Sequence, residues 1–187
     1  TEDILSTTIV GTNAQGKFPA VPRSMTQYMT MFGGAYSFSD NFALMAMTNI
    51  TVNEMPMEIR PANGSNFAMT SAGMGDITVL GKSRLYASDT LAPTKQFSVL
   101  YGLSFPTGSI VKQFTNSTPN GVNGTLLPFK MQLGSGTFDP IFGLSYQASR
   151  DPFWWGANTH LEAHVYDNDQ GYHRGQEFRY DFYAMKQ

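Results

Sequence analysis

Hydrophobic and polar side chains alternate along seven segments of this chain, each about ten residues long. In the first segment, residues 24–38, Tyr28, Phe32 and Tyr36 occupy even positions, whereas methionine, glutamine and small residues occupy most odd positions. Successive side chains of a strand point to opposite faces, so one face of this strand is aromatic. The same alternation recurs in residues 42–57, 76–86, 96–105, 138–147, 153–166 and 177–185. The pattern predicts an all-β, antiparallel chain.

The methionines do not lie on the most apolar face of these predicted strands. In residues 42–57, Phe42 and Leu44 share one face, whereas Met45 and Met47 lie on the other face together with asparagine and threonine. Methionine usually fills gaps in apolar cores, so its place among amides and hydroxyls marks the polar face as the candidate functional surface.

Short and long connections alternate between the predicted strands. Residues 39–41 and 150–152 form short turns, whereas residues 58–70 and 106–136 form long connections. An up-and-down barrel of the bacterial outer membrane combines short periplasmic turns with longer extracellular loops. We therefore expect a transmembrane β-barrel, in which residues 58–70 and 107–136 are extracellular and the two short turns are periplasmic. A soluble β-sandwich has the same alternation with its apolar face inward, and it is the alternative fold.

Composition excludes several classes of function. Only 14% of the residues are charged and the net charge is −2, so the chain lacks the basic surface that binds nucleic acid. The absence of cysteine excludes disulfides, thiolate nucleophiles and cysteine-bound metals. No apolar run is long enough for a transmembrane helix. A G-x-S-x-G motif with fitting histidine and aspartate residues is missing, so we expect no enzymatic activity and no cofactor.

Four stretches of the chain resemble one protein family. They read FGGAYSFSDNFALMAMTNI, GMGDITVLGKSRLY, GLSFPTGSI and LPFKMQLGSGTFDPIFGLSYQ, and the likeness extends from about Pro19 to Met185. They resemble the outer-membrane family named for the MetA-pathway of phenol degradation, in its methionine-rich branch. The resemblance implies an outer-membrane β-barrel that passes hydrophobic or aromatic compounds.

The resemblance also bears on the extent of the barrel. Members of that family have a further strand before the position of Thr1 and several strands after that of Gln187. Seven predicted strands is an odd number, whereas bacterial barrels made from one chain have even numbers. We therefore expect residues 1–187 to form one outer-membrane barrel domain that is incomplete at both ends and belongs to a larger, even-stranded barrel.

The polar face of the predicted barrel lines its lumen, so its side chains are the candidate binding or selectivity residues. They are Met25, Met29, Met31, Met45, Met47, Met55, Met57, Asp76, Lys82, Arg84, Asp139, His160, Glu162, His164, Glu177, Arg179 and Asp181. Charges of mixed sign in a lumen either tune solute selectivity or form internal salt bridges.

The methionine rows have three interpretations. They fill an irregular barrel interior, or they offer an apolar track to aromatic solutes, since sulfur–aromatic contacts are favourable. The third interpretation is a path for a soft metal such as Cu(I) or Ag(I), because thioethers bind soft metals. The candidates for that path are Met29, Met31, Met45 and Met47. Filling and a solute track are favoured over a metal path.

The sequence HLEAH at residues 160–164 places three polar side chains on one face of a predicted strand, about 7 Å apart. Metal ligands at this spacing converge only if the side chains bend together. Pairing of these groups with Lys82, Arg84 or Arg179 is therefore favoured over a metal site.

These patterns predict an outer-membrane channel or transporter-like barrel for small hydrophobic or aromatic solutes. The first alternative is a structural barrel with a plugged lumen, which anchors another protein of the bacterial envelope. The second alternative is a soluble, ligand-binding β-sandwich. The expected partners are a lipid bilayer, a small-molecule solute or an envelope protein, and not nucleic acid.

Overall fold

A computed structural model describes residues 20–59, 66–89, 93–114 and 124–186. Its strands are β1 Ala20–Pro22, β2 Thr26–Ser39, β3 Phe42–Ile59, β4 Asn66–Met74, β5 Ile77–Ala87, β6 Lys95–Phe105, β7 Asp139–Arg150, β8 Phe153–Glu162 and β9 Glu177–Lys186. A short 3-10 helix spans Phe129–Met131. None of the described residues belongs to a helix long and apolar enough to cross a lipid bilayer.

The strand pairs are antiparallel, and the later strands follow one another as a meander. β3 pairs with β5, and the pairing continues through β6, β7 and β8 to β9. β1, β2 and β4 also pair with β3. The prediction of an all-β, antiparallel, up-and-down fold is confirmed, and this arrangement is that of a partial β-barrel.

The chain divides into two compact units, and β2 and β3 contribute to both. The first unit comprises residues 1–30, 50–75 and 108–134, and the second comprises residues 31–49, 76–107 and 135–187. The single barrel domain expected from the sequence stays a prediction.

In the second unit, the apolar face of the sheet is exposed and the polar face is buried. On β7, Phe142 and Leu144 expose 57% and 48% of their surface. Their neighbour Ser145 is 5% exposed, and Asp139 at the start of the strand is fully buried. On β6, Ser98 and other small polar residues are likewise buried. This is the strand parity that the sequence predicts, and it is the reverse of a soluble core.

The described ends of the sheet behave differently. Almost all side chains of β2 and β9 are exposed on both faces. Among the described residues, β2 pairs only with β3, and β9 pairs only with β8. A strand with one neighbour buries less of either face, so exposure does not distinguish the two faces there.

Both predicted short turns are confirmed. β2 ends at Ser39 and β3 begins at Phe42, while β7 ends at Arg150 and β8 begins at Phe153. The Ser39 hydroxyl oxygen accepts weak hydrogen bonds from the N–H groups of Asn41 and Phe42, at 3.3 and 3.2 Å. A serine that bonds the backbone ahead of it stabilises a tight turn.

The predicted long connection at residues 58–70 is wrong. β3 continues to Ile59 and β4 begins at Asn66, with Glu58 paired to Asn66. β4 reads NFAMTSAGM and is rich in small residues, so it lacks the alternation of large apolar and polar side chains that reveals a strand. Its pairing with β3 stabilises it instead. Residues 60–65 of that predicted connection lie outside the described residues.

Candidate functional site

A methionine cluster forms the buried centre of the first unit. Met55 and Met57 of β3 contact Met69 of β4, together with Leu127 and Met131 from residues 108–134. Met131 is fully buried, and the other four are at most 8% exposed. The partly buried side chains packed against this cluster are Met25, Phe67 and Phe114.

Hydrogen bonds fix residues 108–134 against the buried face of β3 and β4. The Ser71 hydroxyl donates to the carbonyl oxygen of Met131 at 2.5 Å, and the Asn53 amide donates to Ser71 Oγ at 3.2 Å. The Gln132 amide group donates to the carbonyl oxygens of Lys112 and Leu127, and its oxygen accepts the Lys112 N–H at 2.8 Å. These hydrogen bonds hold the segment against the two strands, although the side-chain oxygen of Asn53 has no partner among the described residues.

The long connection predicted at residues 106–136 is confirmed, since β6 ends at Phe105 and β7 begins at Asp139. The segment contains a 3-10 helix, and Gln113 forms a bridge with Leu126. The segment is rich in turn-forming residues, so the sequence did not indicate that Leu127 and Met131 would be buried. Residues 115–123 of the predicted loop lie outside the described residues.

Two glycines of the first unit lie where the chain approaches itself closely. Gly73 has a φ of +151°, and a Cβ there would lie 2.8 Å from Leu133 Cδ1. A Cβ on Gly108 would lie 2.7 Å from the Cα of Gly134. Gly73 is favoured by its positive φ, which other residues rarely adopt, and Gly108 is required because a Cβ would overlap with the backbone of Gly134.

The predicted methionines have different surroundings. Met55 and Met57 are buried, and Met25 is half-buried. In the second unit, Met45 and Met47 are half-buried, and Met45 pairs with Leu80 of β5. Met29 and Met31 expose 52% and 64% of their surface. The sequence analysis missed Met69 and Met131. One continuous methionine strip stays a prediction.

A second cluster surrounds Asp139 at the start of β7. Asp139 and His164 are both fully buried, and His164 Nδ1 lies 2.9 Å from Asp139 Oδ1. The Thr137 hydroxyl donates to the same oxygen at 2.6 Å. Glu162, the last residue of β8, is also close: the potential ligand atoms of Asp139, Glu162 and His164 lie within 4.8 Å of one another. We call these three residues the Asp139 cluster.

Side chains outside the Asp139 cluster hydrogen-bond to the backbone near it. Gln176 donates to the carbonyl oxygen of His164 at 2.7 Å and accepts its N–H at 3.2 Å. Asp76 accepts the N–H of Ser135 at 2.7 Å, and Asn168 donates to the Ser135 carbonyl oxygen at 3.0 Å. Such supporting bonds orient a site before any ligand arrives.

One part of the predicted HLEAH geometry is wrong. β8 ends at Glu162, so His164 lies beyond the strand instead of continuing its polar face. The Ala163 N–H donates to the Pro140 carbonyl oxygen, after which the chain leaves the ladder. This departure brings His164 to Asp139. His160 stays on β8, and its Nε2 lies 4.0 Å from Glu162 Oε2.

Three of the other charged candidates, Arg84, Glu177 and Arg179, have local partners. Arg84 donates to the Asn41 side-chain oxygen, and Arg179 lies 2.9 Å from Glu177. Lys82 is half-buried on β5, and Asp181 is exposed on β9. Arg179 also faces His160 across the β8–β9 pair. The role of these residues in lining a lumen stays a prediction.

Comparison with known proteins identifies one family. A family model described as "Putative MetA-pathway of phenol degradation" matches residues 11–187. A comparison with curated proteins found no match.

Proposed function

Because the match covers nearly all of its length, the chain belongs to the MetA-pathway of phenol degradation family, and from this premise we propose that it is an outer-membrane barrel for small apolar or aromatic solutes. The family and the partial-barrel fold both support an outer-membrane protein. Transport and the identity of the solute are our proposal, as is the absence of an enzymatic role.

The observation that carries the proposal is the exposed apolar face of β6 to β9. Tyr101, Phe142, Leu144 and Leu161 expose between 38% and 57% of their surface, and they line one shallow apolar groove. On β9, Phe182 is 77% exposed. Exposing apolar surface to water costs about 25 cal/mol of free energy per Å². Lipid acyl chains are the partner that such a band of strands fits.

The opposite face supports a polar or thioether-lined passage. Small hydroxyl side chains such as Ser98 and Ser104 are buried there. The first unit, taken by itself, buries a cluster made mainly of methionines. Methionine adapts its shape and makes favourable contacts with aromatic rings. An aromatic solute is therefore the class that this surface suits best.

A charge placed on the apolar face tests the lipid contact. Leu144→Arg places a guanidinium at the centre of β7, which costs about 2–4 kcal/mol at the midplane of a bilayer. We expect this variant to lose outer-membrane assembly, measured by heat-modifiable migration and by extraction with detergent. The matched control Leu144→Phe keeps an apolar side chain and should assemble normally. Normal assembly of Leu144→Arg in soluble form would instead support the β-sandwich.

Liposome swelling tests the passage itself. We expect proteoliposomes that contain the full-length protein to admit phenol-sized aromatic compounds faster than protein-free liposomes. No difference in uptake would contradict the solute channel.

A plugged, structural barrel is the second candidate. The burial of Met131 against Met55, Met57 and Met69 favours it, because a packed segment takes up space beside the polar face. This candidate predicts normal assembly without solute uptake.

A further inference from the structure

We propose that Asp139, Glu162 and His164 bind one divalent transition-metal ion, with Zn²⁺ as the representative ion. The proposal rests on local contacts in the second unit and does not depend on solute transport. All three side chains offer donor atoms within 4.8 Å of one another, and two of the three are fully buried. Carboxylate oxygen and imidazole nitrogen together form a common donor set for such ions.

The contact between His164 and Asp139 is close without being a hydrogen bond. His164 Nδ1 lies 2.9 Å from Asp139 Oδ1, yet the ring nitrogen has no hydrogen-bond partner of acceptable geometry among the described residues. Adjacent ligands of a metal with bonds of about 2.1 Å lie about 3 Å apart at right angles, without a proton between them. At tetrahedral angles the same bonds separate ligands by about 3.4 Å, so the observed 2.9 Å fits a site with right angles between neighbouring ligands.

Buried polar atoms at the cluster also lack partners. Asp139 Oδ2 and His164 Nε2 form no hydrogen bond with any described residue, although both side chains are fully buried. A buried carboxylate oxygen without a partner destabilises the folded chain. A bound cation removes this destabilisation. Thr137 bonds only Asp139 Oδ1. We therefore expect the carboxylate to bind the ion through both oxygens, with Oδ1 also accepting the Thr137 hydroxyl.

The local charge also favours a cation. Asp139 and Glu162 bring two carboxyl groups to the cluster, and Glu162 faces Glu177 directly across the β8–β9 pair. Arg179 lies close to Glu177, at 2.9 Å. Because Glu177 already pairs with Arg179 and also with Arg174, at 3.7 Å, the carboxyl groups of Asp139 and Glu162 are the ones that a divalent ion would neutralise.

The donor chemistry selects the ion. Imidazole suits Zn²⁺ and its neighbours, whereas Ca²⁺ and Mg²⁺ prefer oxygen ligands alone. The donors of the cluster are two carboxyl groups and one imidazole, and the chain has no cysteine, so soft metals are disfavoured here. This site is therefore distinct from the soft-metal path considered for the methionines.

Calorimetric titration of the chelator-treated protein in detergent with Zn²⁺ tests the proposal. We expect one Zn²⁺ per chain at this site, and a loss of at least tenfold in affinity in Glu162→Gln and His164→Gln. X-ray absorption of the zinc-loaded native chain should show a single imidazole with oxygen ligands. This measurement needs no variant, so it still tests the site if the variants fold poorly.

His173 and Asp167 provide the matched control. Their Nδ1 and Oδ1 atoms are also 2.9 Å apart, but both side chains are more than half exposed. His173→Gln should keep the Zn²⁺ affinity of the native chain. The proposal is overturned by an absence of binding, by unchanged binding in Glu162→Gln and His164→Gln, or by equal affinity for Ca²⁺.

Discussion

Ser71 of β4 donates a hydrogen bond of 2.5 Å to the carbonyl oxygen of Met131, 60 residues later in the chain. Both residues are buried, and the bond joins the sheet of the first unit to the segment that follows β6. The side chain of Met131 packs in the methionine cluster and its carbonyl oxygen bonds Ser71. Both contacts hold residues 108–134 against the β3–β4 hairpin.

Met131→Ala should therefore destabilise this packing. Truncating a fully buried methionine costs about 2–5 kcal/mol, because it removes apolar contacts and leaves a cavity. We expect a lower urea midpoint for unfolding in detergent and faster proteolysis within residues 108–134. If the segment restricts solute passage, uptake into proteoliposomes should rise as well.

Val111→Ala is the control for that experiment. Val111 lies in the same segment but exposes 55% of its surface. Its truncation should change the unfolding midpoint little. Equal effects of the two variants would show that burial of Met131 does not hold the segment.

Gly102→Ala should prevent assembly of the second unit. A Cβ at this position of β6 would lie 2.1 Å from the carbonyl oxygen of Val79 on β5, so the two strands would have to separate. Gly34→Ala is the matched control, because a Cβ there has nothing within 4 Å. Heat-modifiable migration distinguishes the two outcomes, and normal folding of Gly102→Ala would contradict this packing.

Strand parity was predictable, whereas the contacts at strand ends were not. Leu144 and Ser145 follow a period of two that any half-buried strand imposes on its sequence. The sequence did not predict β4 because Ala72 and Gly73 interrupt that period. Pairing with β3 stabilises β4 as a strand. The meeting of His164 with Asp139 depends on where β8 leaves the ladder, which no local pattern encodes.

The same distinction applies to the methionines. Their place opposite the apolar face was visible in the sequence, and Met55 and Met57 are indeed buried. Met131 lies in a stretch rich in turn formers, so only long-range packing reveals that it completes the cluster.

Membrane topology can be tested with single cysteines, since the chain has none of its own. Asp151 lies in the short β7–β8 turn, and Asp169 lies in the longer connection after β8; both are exposed. Short turns face the periplasm in outer-membrane barrels. We expect a membrane-impermeant maleimide to label Asp169→Cys but not Asp151→Cys on intact cells. Labelling of Asp151→Cys alone would reverse the topology.

Replacement of four methionines by leucine separates a solute surface from a soft-metal path. The residues are Met29, Met31, Met45 and Met47. Leucine keeps a similar apolar volume, so such exchanges usually cost less than about 1.5 kcal/mol each and should preserve assembly. We expect solute uptake to be retained, because an apolar track needs volume and flexibility more than sulfur.

A titration with Ag⁺ provides the second measurement, since thioether sulfur is the soft donor of a chain without cysteine. Stoichiometric Ag⁺ binding by the native protein that disappears in the leucine variant would contradict the solute track and establish the metal path.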